Sequence, residues 1–167
     1  MTQILTKQQS PFFWQFDQRY FGDMSERYFT AQYWQTNNAI IGQESGRGTT
    51  WFVQHGETQL VLRHYLRGGM MRHLNHDRYL FNGYPKTRSI AEFNILHILL
   101  KKQLPVPTPA AAQITQQGLF YQADLLTHKI PDAQDLIQVL RQAQALEFYQ
   151  ELGKMIATFD KVFFMLI

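Results

Sequence analysis

Apolar positions along the chain keep different periods in different stretches. Residues 1–22 are crowded with aromatics that hold no steady alternation, and an irregular segment is expected there. In DMSERYFTAQYWQ (23–35), Phe29, Tyr33 and Trp34 fall on one helical face, and Asp23 or Ser25 can cap it, so a short helix is expected. The period then shortens. Ala39–Ile41, Thr50–Gln54 and Gln59–Tyr65 are brief runs rich in β-branched and aromatic residues, which predict strands. HGET (55–58) reads as a hairpin turn and SGRG (45–48) as a glycine-rich loop. Residues 66–88 read as an irregular basic insertion. Helical spacing returns in SIAEFNILHILLKKQ (89–103), where Ile90, Phe93 and Leu96 or His97 share a face. Lys101 and Lys102 sit at its C-terminal end, where the helix dipole favours cations, and the prolines of LPVPTP (104–109) stop it. AAAQIT (110–115) and GLFYQADLL (118–126) read as strands about a QQG turn. Two helices follow: AQDLIQVLRQAQ (133–144), opened by Pro131-Asp132, and Leu146–Phe159, with Leu146, Tyr149, Gly153 and Ile156 in phase. No internal repeat interrupts this order.

The order is α+β: three strands around a glycine loop and a hairpin, a helix, two strands, two helices. A protein-kinase-like small lobe has this order: an antiparallel sheet plus one helix, then a hinge and the first helices of a large lobe, here incomplete. The expected division is an aromatic and helical segment over 1–38, the small lobe and hinge over 39–126, the start of a large lobe over 127–159, and an apolar tail over 160–167.

Composition narrows the chemistry. At 167 residues, 45% hydrophobic and 17% charged, the chain is long enough for one ordinary domain with a core and does not resemble a disordered protein. Its net charge of +3 suits an anionic partner without selecting nucleotide, phospholipid or nucleic acid. There is no cysteine, which excludes disulfides, thiolate zinc sites and cysteine nucleophiles. No apolar run reaches the roughly 18–20 residues that span a bilayer, and the opening MTQILTKQQS has no apolar signal core.

Four features carry candidate chemistry. In IGQESGRGTTWFV, Gly42, Gly46 and Gly48 could let backbone N–H groups cover phosphates, although the spacing is not G-x-G-x-x-G and a flexible hairpin loop fits as well. In LVLRHY, Arg63 stands where a kinase carries its phosphate-holding lysine; it could equally be an exposed strand residue. Glu92 has two readings: paired to Arg63 as in a kinase, or closing a capping box with Ser89. From 63 to 88, Arg63, Arg67, Arg72, Arg78, Lys86 and Arg88 are opposed only by Asp77, with Tyr65, Tyr79, Phe81 and Tyr84 interleaved. That stretch could be a solvated surface, a dock for anionic lipid or acidic sugar, or a track for nucleic acid. His73, His76 and Asp77 lack partners at zinc spacing, and no Ser-His-Asp set is evident.

LVLRHYLRGGMMRHLNHDRYLF, RSIAEFNILHILLKKQLPVPTP and FYQELGKMIATF closely resemble the lipopolysaccharide kinase family, the Kdo kinases of Gram-negative bacteria, from near the N-terminus to about Phe159. The resemblance implies an ATP- and Mg²⁺-dependent enzyme, peripheral on the cytoplasmic side of the inner membrane. Its substrate would be the 3-deoxy-D-manno-octulosonic acid (Kdo) residue of a Kdo–lipid A precursor, with no nucleic-acid partner. It implies that Gly42, Gly46 and Gly48 cover ATP, that Arg63 and Glu92 form the base–acid pair, and that Ala123, Asp124, Leu125 and Leu126 are the adenine-contacting hinge. Arg67, Arg72, Arg78, Lys86 and Arg88 become candidates for anionic lipid or sugar.

Phosphoryl transfer on this fold also needs a catalytic-loop Asp, with an Asn and a second Asp for Mg²⁺. Those groups would follow Phe159, where the chain offers Asp160 and then Lys161–Ile167, so neither a catalytic residue nor a metal ligand is assigned and this chain alone is expected not to catalyse the reaction. Synonymous codons for the tail, read in another frame, permit Gly-Val-Phe-His-Ala-Asp-Leu, similar to the family's catalytic loop. A frameshift near Thr158–Asp160 is therefore expected. The rival reading is a short basic module that binds anionic lipid or nucleic acid without catalysis.

Overall fold

The computed structural model describes residues 3–45, 48–67, 77–134, 136–142 and 146–164. Within them one antiparallel sheet of eight strands carries the fold: β1 (Ile4–Gln9), β2 (Phe12–Asp17), β3 (Ile40–Ser45), β4 (Thr49–His55), β5 (Thr58–His64), β6 (Tyr79–Leu80), β7 (Pro109–Gln117) and β8 (Phe120–His128). Their spatial order is β1-β2-β7-β8-β5-β4-β3, with β6 pairing on β8 off this path. The helices are α1 (Ala31–Thr36), α2 (Arg88–Lys101), α3 (Leu136–Leu140) and α4 (Leu146–Phe164).

The predicted turns form where glycine permits them. Gly56, at φ +58, turns β4 into β5, and Gly118, at φ +60, turns β7 into β8. The two new strands at the N-terminus correct the expectation of an irregular segment. β2 is buried from both sides: Trp14 and Phe16 enter the core on one face, while Phe13 packs into the core on the other. A strand sandwiched this way shows no polar alternation.

The expected 23–35 helix is also broken. Thr30 is extended, separating a 3₁₀ turn at Glu26–Phe29 from α1, and its hydroxyl accepts the Tyr33 N–H at 3.4 Å as the cap of α1. Asp23 caps nothing; its carboxylate receives Lys7 Nζ at 2.7 Å. Further along, α3 is shorter than the expected 133–144 helix, and α4 continues past Phe159 to Phe164.

Each face of the sheet has its own core. On one side α2 places Ile90, Phe93 and Leu96 against Ala112, Ile114, Ala123 and Leu125. Alanines on the central strands let the helix approach closely. On the other side Phe21, Met24, Phe29 and Trp34 cover Trp14, Leu60, Leu62 and Leu126. Full burial of such side chains contributes about 1.5–3 kcal/mol each, so both faces hold the central strands rigidly in register. That register positions the polar side chains below.

Candidate functional site

β3 and β4 form a hairpin with Glu44 opposite Thr50 and Ser45 opposite Thr49. With the end of β5 it borders a cleft of about 280 Å³ lined by Glu44, Ser45, Gly48, Thr50, Arg63 and His64, with Tyr65 and Leu66 beyond. The three glycines have separate fates. Gly42 lies within β3, beside a bulge, where an added Cβ would sit 3.1 Å from Phe52 Cδ2. Gly48 lies at the hairpin end, where a Cβ would collide with Leu66 Cδ1, so the missing side chain lets Leu66 close the cleft. Gly46 lies outside the described residues.

Arg63 and Glu92 are bonded to each other. Arg63 Nη2 donates to Glu92 Oε1, and the Tyr65 hydroxyl donates to Glu92 Oε2. The capping-box alternative does not form: Thr87 is the N-cap of α2, and Ser89 Oγ is buried, donating to the Gln113 carbonyl at 2.9 Å. Burial opposes the charge on Arg63, but Tyr65 and Glu92 beside it outweigh this and raise its pKa. Burial and the Glu92 carboxylate push the Tyr65 phenol well above its ordinary range, so it stays protonated as a donor. Arg63 thus projects a fixed cation into the cleft, held by a carboxylate from the helix behind it.

Sequence reasoning missed a polar row on the opposite face. Strand register aligns Trp14 with Gln113, Gln113 with Asp124, and Asp124 with His64. Trp14 Nε1 donates to Gln113 Oε1 at 2.8 Å, and Gln113 Nε2 donates to Asp124 Oδ2 at 3.2 Å. Asp124 Oδ1 lies 2.6 Å from His64 Nδ1, while His64 Nε2 lies 3.4 Å from Asp77 Oδ2. Gln122 Nε2 also donates to Asp77. The hydrogen bond to Asp124 raises the His64 pKa; burial pulls the other way, and Asp77 adds to the rise.

This row runs through the strand expected to supply the hinge. Ala123, Asp124, Leu125 and Leu126 lie mid-strand in β8, buried and paired with β5 on one side and β7 on the other. Their backbone is engaged in both ladders, and the Asp124 carboxylate is bonded to His64 and Gln113. β8 runs on to His128, and the segment leaving the sheet begins at Lys129.

The basic residues separate as well. Arg67 and Arg88 converge on the Tyr79 ring, with guanidinium carbons 5.1 and 4.7 Å from its centroid. Arg78 and Lys86 are exposed. Arg72, His73 and His76 lie outside the described residues. Among the described residues no three His, Asp or Glu groups gather as a metal site, and no helix is long and apolar enough to cross a membrane.

The model of the lipopolysaccharide kinase (Kdo/WaaP) family matches residues 31–164. The chain belongs to that family. It is 46% identical over 143 residues to a 3-deoxy-D-manno-octulosonic acid kinase of Vibrio parahaemolyticus, a match covering 85% of this chain and 60% of that protein. To a protein of the same description from Haemophilus influenzae (strain PittEE) it is 43% identical over 152 residues, covering 87% and 62%. To one from Photobacterium damsela it is 49% identical over 118 residues, covering 70% and 49%. The chain therefore spans about half to three-fifths of the length of these family members. No solved structure matches it.

Proposed function

We propose that this chain forms the nucleotide-binding part of an ATP-dependent kinase that phosphorylates the Kdo residue of a Kdo–lipid A precursor. The enzyme would work as a peripheral protein on the cytoplasmic side of the inner membrane in a Gram-negative bacterium. Beside family membership, the observation that carries the reading is the Arg63–Glu92 pair at the mouth of the hairpin cleft. A protein-kinase-like small lobe uses this device: a helix carboxylate fixes the strand cation that holds nucleotide phosphates. In this reading β3, β4, β5, β7, β8 and α2 are the small lobe. The β1–β2 hairpin widens it at the β7 edge, and α3 and α4 begin the next lobe.

The residues present fit a polyphosphate. Arg63 supplies a guanidinium able to bond phosphate oxygens in a fork, which the usual lysine cannot do. Gly48 lets Leu66 pack against one wall of the cleft. At about 280 Å³ the cleft sits at the lower limit for ligand sites and suits the phosphates better than a whole nucleotide. Bound ATP would supply the phosphoryl group. Glu92, occupied by Arg63 and Tyr65, acts as a positioning residue and not as a base. For Mg²⁺ the described cleft offers one carboxylate, Glu44, which could hold the ion only together with nucleotide phosphates and water, so no step is derived through it.

The test is thermal unfolding with and without ATP. At a nucleotide concentration 100 times Kd, stabilisation of about 2.7 kcal/mol is expected. Equal melting temperatures with and without millimolar ATP in the wild-type chain would sink the proposal.

A further inference from the structure

We infer that Arg67 and Arg88, stacked on Tyr79 at the start of α2, form a two-arginine clamp for a phosphate monoester, separate from the nucleotide cleft. Four observations carry this. First, both guanidinium carbons lie about 5 Å from the centroid of one ring, so they are no more than about 10 Å apart, and rotation of either long side chain brings the two within reach of one phosphate. Neither has an ion-pair partner among the described residues. The nearest carboxylates are occupied: Glu92, one turn along α2, holds Arg63 and Tyr65, and Asp77 holds His64 and Gln122. Two cations gathered without an anion repel each other, and a bound dianion removes that repulsion.

Second, the platform is fixed. Tyr79 belongs to β6, pairs with Tyr121 on β8, and its ring is buried in the core beneath α2. Arginines stacked on an immobile ring lose less freedom when they bind. Third, the Tyr79 hydroxyl is buried with no hydrogen-bond partner, and besides that burial Arg88, Arg67 and the Asp77 carboxylate act on it electrostatically. An anion that reaches the ring edge could satisfy this donor. Fourth, Thr87 supplies no side-chain cap at the N-terminus of α2, where the Arg88 N–H donates to the Tyr121 hydroxyl at 3.2 Å. The Thr87 hydroxyl donates to the Tyr84 carbonyl at 2.6 Å and makes no bond to the first turn. The helix dipole therefore adds positive potential at the same place.

The clamp does not line the cleft, whose wall ends at Leu66. Its ligand is any group ending in a phosphate monoester, either a lipid headgroup or a soluble ester. The experiment titrates the whole chain with glycerol phosphate by calorimetry. A second arm uses phosphatidylcholine vesicles with and without phosphatidic acid. Saturable binding is expected, weakened about tenfold or more by Arg67→Gln and by Arg88→Gln. Tyr79→Phe, which keeps the ring, is expected to weaken it several-fold with the melting temperature unchanged. Lys102→Gln, which removes the same charge beyond the other end of α2, is expected to leave it within twofold. Tighter binding to phosphatidic-acid vesicles than to the soluble ester assigns the group to a lipid; the reverse assigns it to a soluble ester. The clamp is overturned if the wild-type chain binds neither, or if Lys102→Gln weakens binding as much as Arg88→Gln. Failure of the nucleotide reading shows separately, as loss of ATP protection in a chain that still binds the monoester through Arg88.

Discussion

Glu92 faces Arg63 across the gap between α2 and β5, while Ser89, one turn earlier, turns away to the Gln113 carbonyl. The sequence admitted both a capping box and a positioning pair, and strand register decides between them. Arg63 lies opposite Leu125, so its side chain emerges on the α2 face.

Replacing Glu92 by Gln removes the charge that orients Arg63. Both side chains are partly exposed, at 45% and 35%, so folding stability is expected to change by no more than about 1 kcal/mol. ATP protection, in contrast, is expected to fall about tenfold in apparent affinity, with Arg63→Lys intermediate because charge survives and the fork does not. Melting curves over an ATP series separate the two effects. Undiminished protection in Glu92→Gln would show that the pair is structural only.

Gly48 is placed for contact and not only for turn flexibility. A methyl group there meets Leu66 Cδ1, so Gly48→Ala is expected to push Leu66 outward and open the cleft. The expected result is weaker nucleotide binding, which Leu66→Ala alone also produces because the same wall is lost. Gly56→Ala, strained at φ +58 but remote from the cleft, should cost about 1 kcal/mol of stability and leave binding alone. Equal loss of binding in both glycine variants would remove Gly48 from the site.

His64 gives a pH signature. Its pKa is raised in the fold, chiefly by the hydrogen bond to Asp124. Stability from this ion pair is therefore complete below the unfolded value of about 6.5 and is lost as pH rises through the higher folded value. Asp124→Asn is expected to bring the His64 titration midpoint, followed by NMR, back toward 6.5 and to flatten the stability profile above it. A His64 midpoint below 6.5 in the wild-type chain would contradict the geometry.

How much of this was legible beforehand depended on how local each feature is. β4, β5, β7, β8 and α2 follow from short-range pattern and turn glycines, and Arg63 and Glu92 stood out on them. The β1–β2 hairpin did not, because Phe13 and Trp14 are buried in opposite faces and erase the alternation. The polar row was not readable at all. Trp14 and Gln113 are 99 residues apart and meet only because β2 pairs with β7. The environment of Asp124 was unreadable for the same reason. Its burial comes from pairing with β5, which carries β8 on to His128, beyond the Leu126 limit of the expected strand.

The last prediction concerns Asp17, fully buried at the end of β2, with Arg19 Nη2 at 2.6 Å from Oδ2. Burial alone would raise its pKa, but the Arg19 side chain and backbone N–H outweigh this and hold it below the ordinary carboxylate value. Its contribution is present above the unfolded pKa of about 3.9 and is lost as pH falls through the lower folded value. Arg19→Ala leaves a buried carboxylate with too few donors. A fully buried pair broken on one side costs about 3–5 kcal/mol; Arg19 is half exposed, so water screens part of this and about 2 kcal/mol is expected. The acid limb of the stability profile should also move to higher pH, because the carboxyl now titrates more easily. Adding Asp17→Asn should recover part of the loss at pH 7, since a neutral amide needs no counter-charge. Urea unfolding of the single and double variants at pH 7 and pH 4 measures both effects. A cost under about 0.5 kcal/mol for Arg19→Ala would mean that solvent and the backbone N–H already satisfy the buried acid.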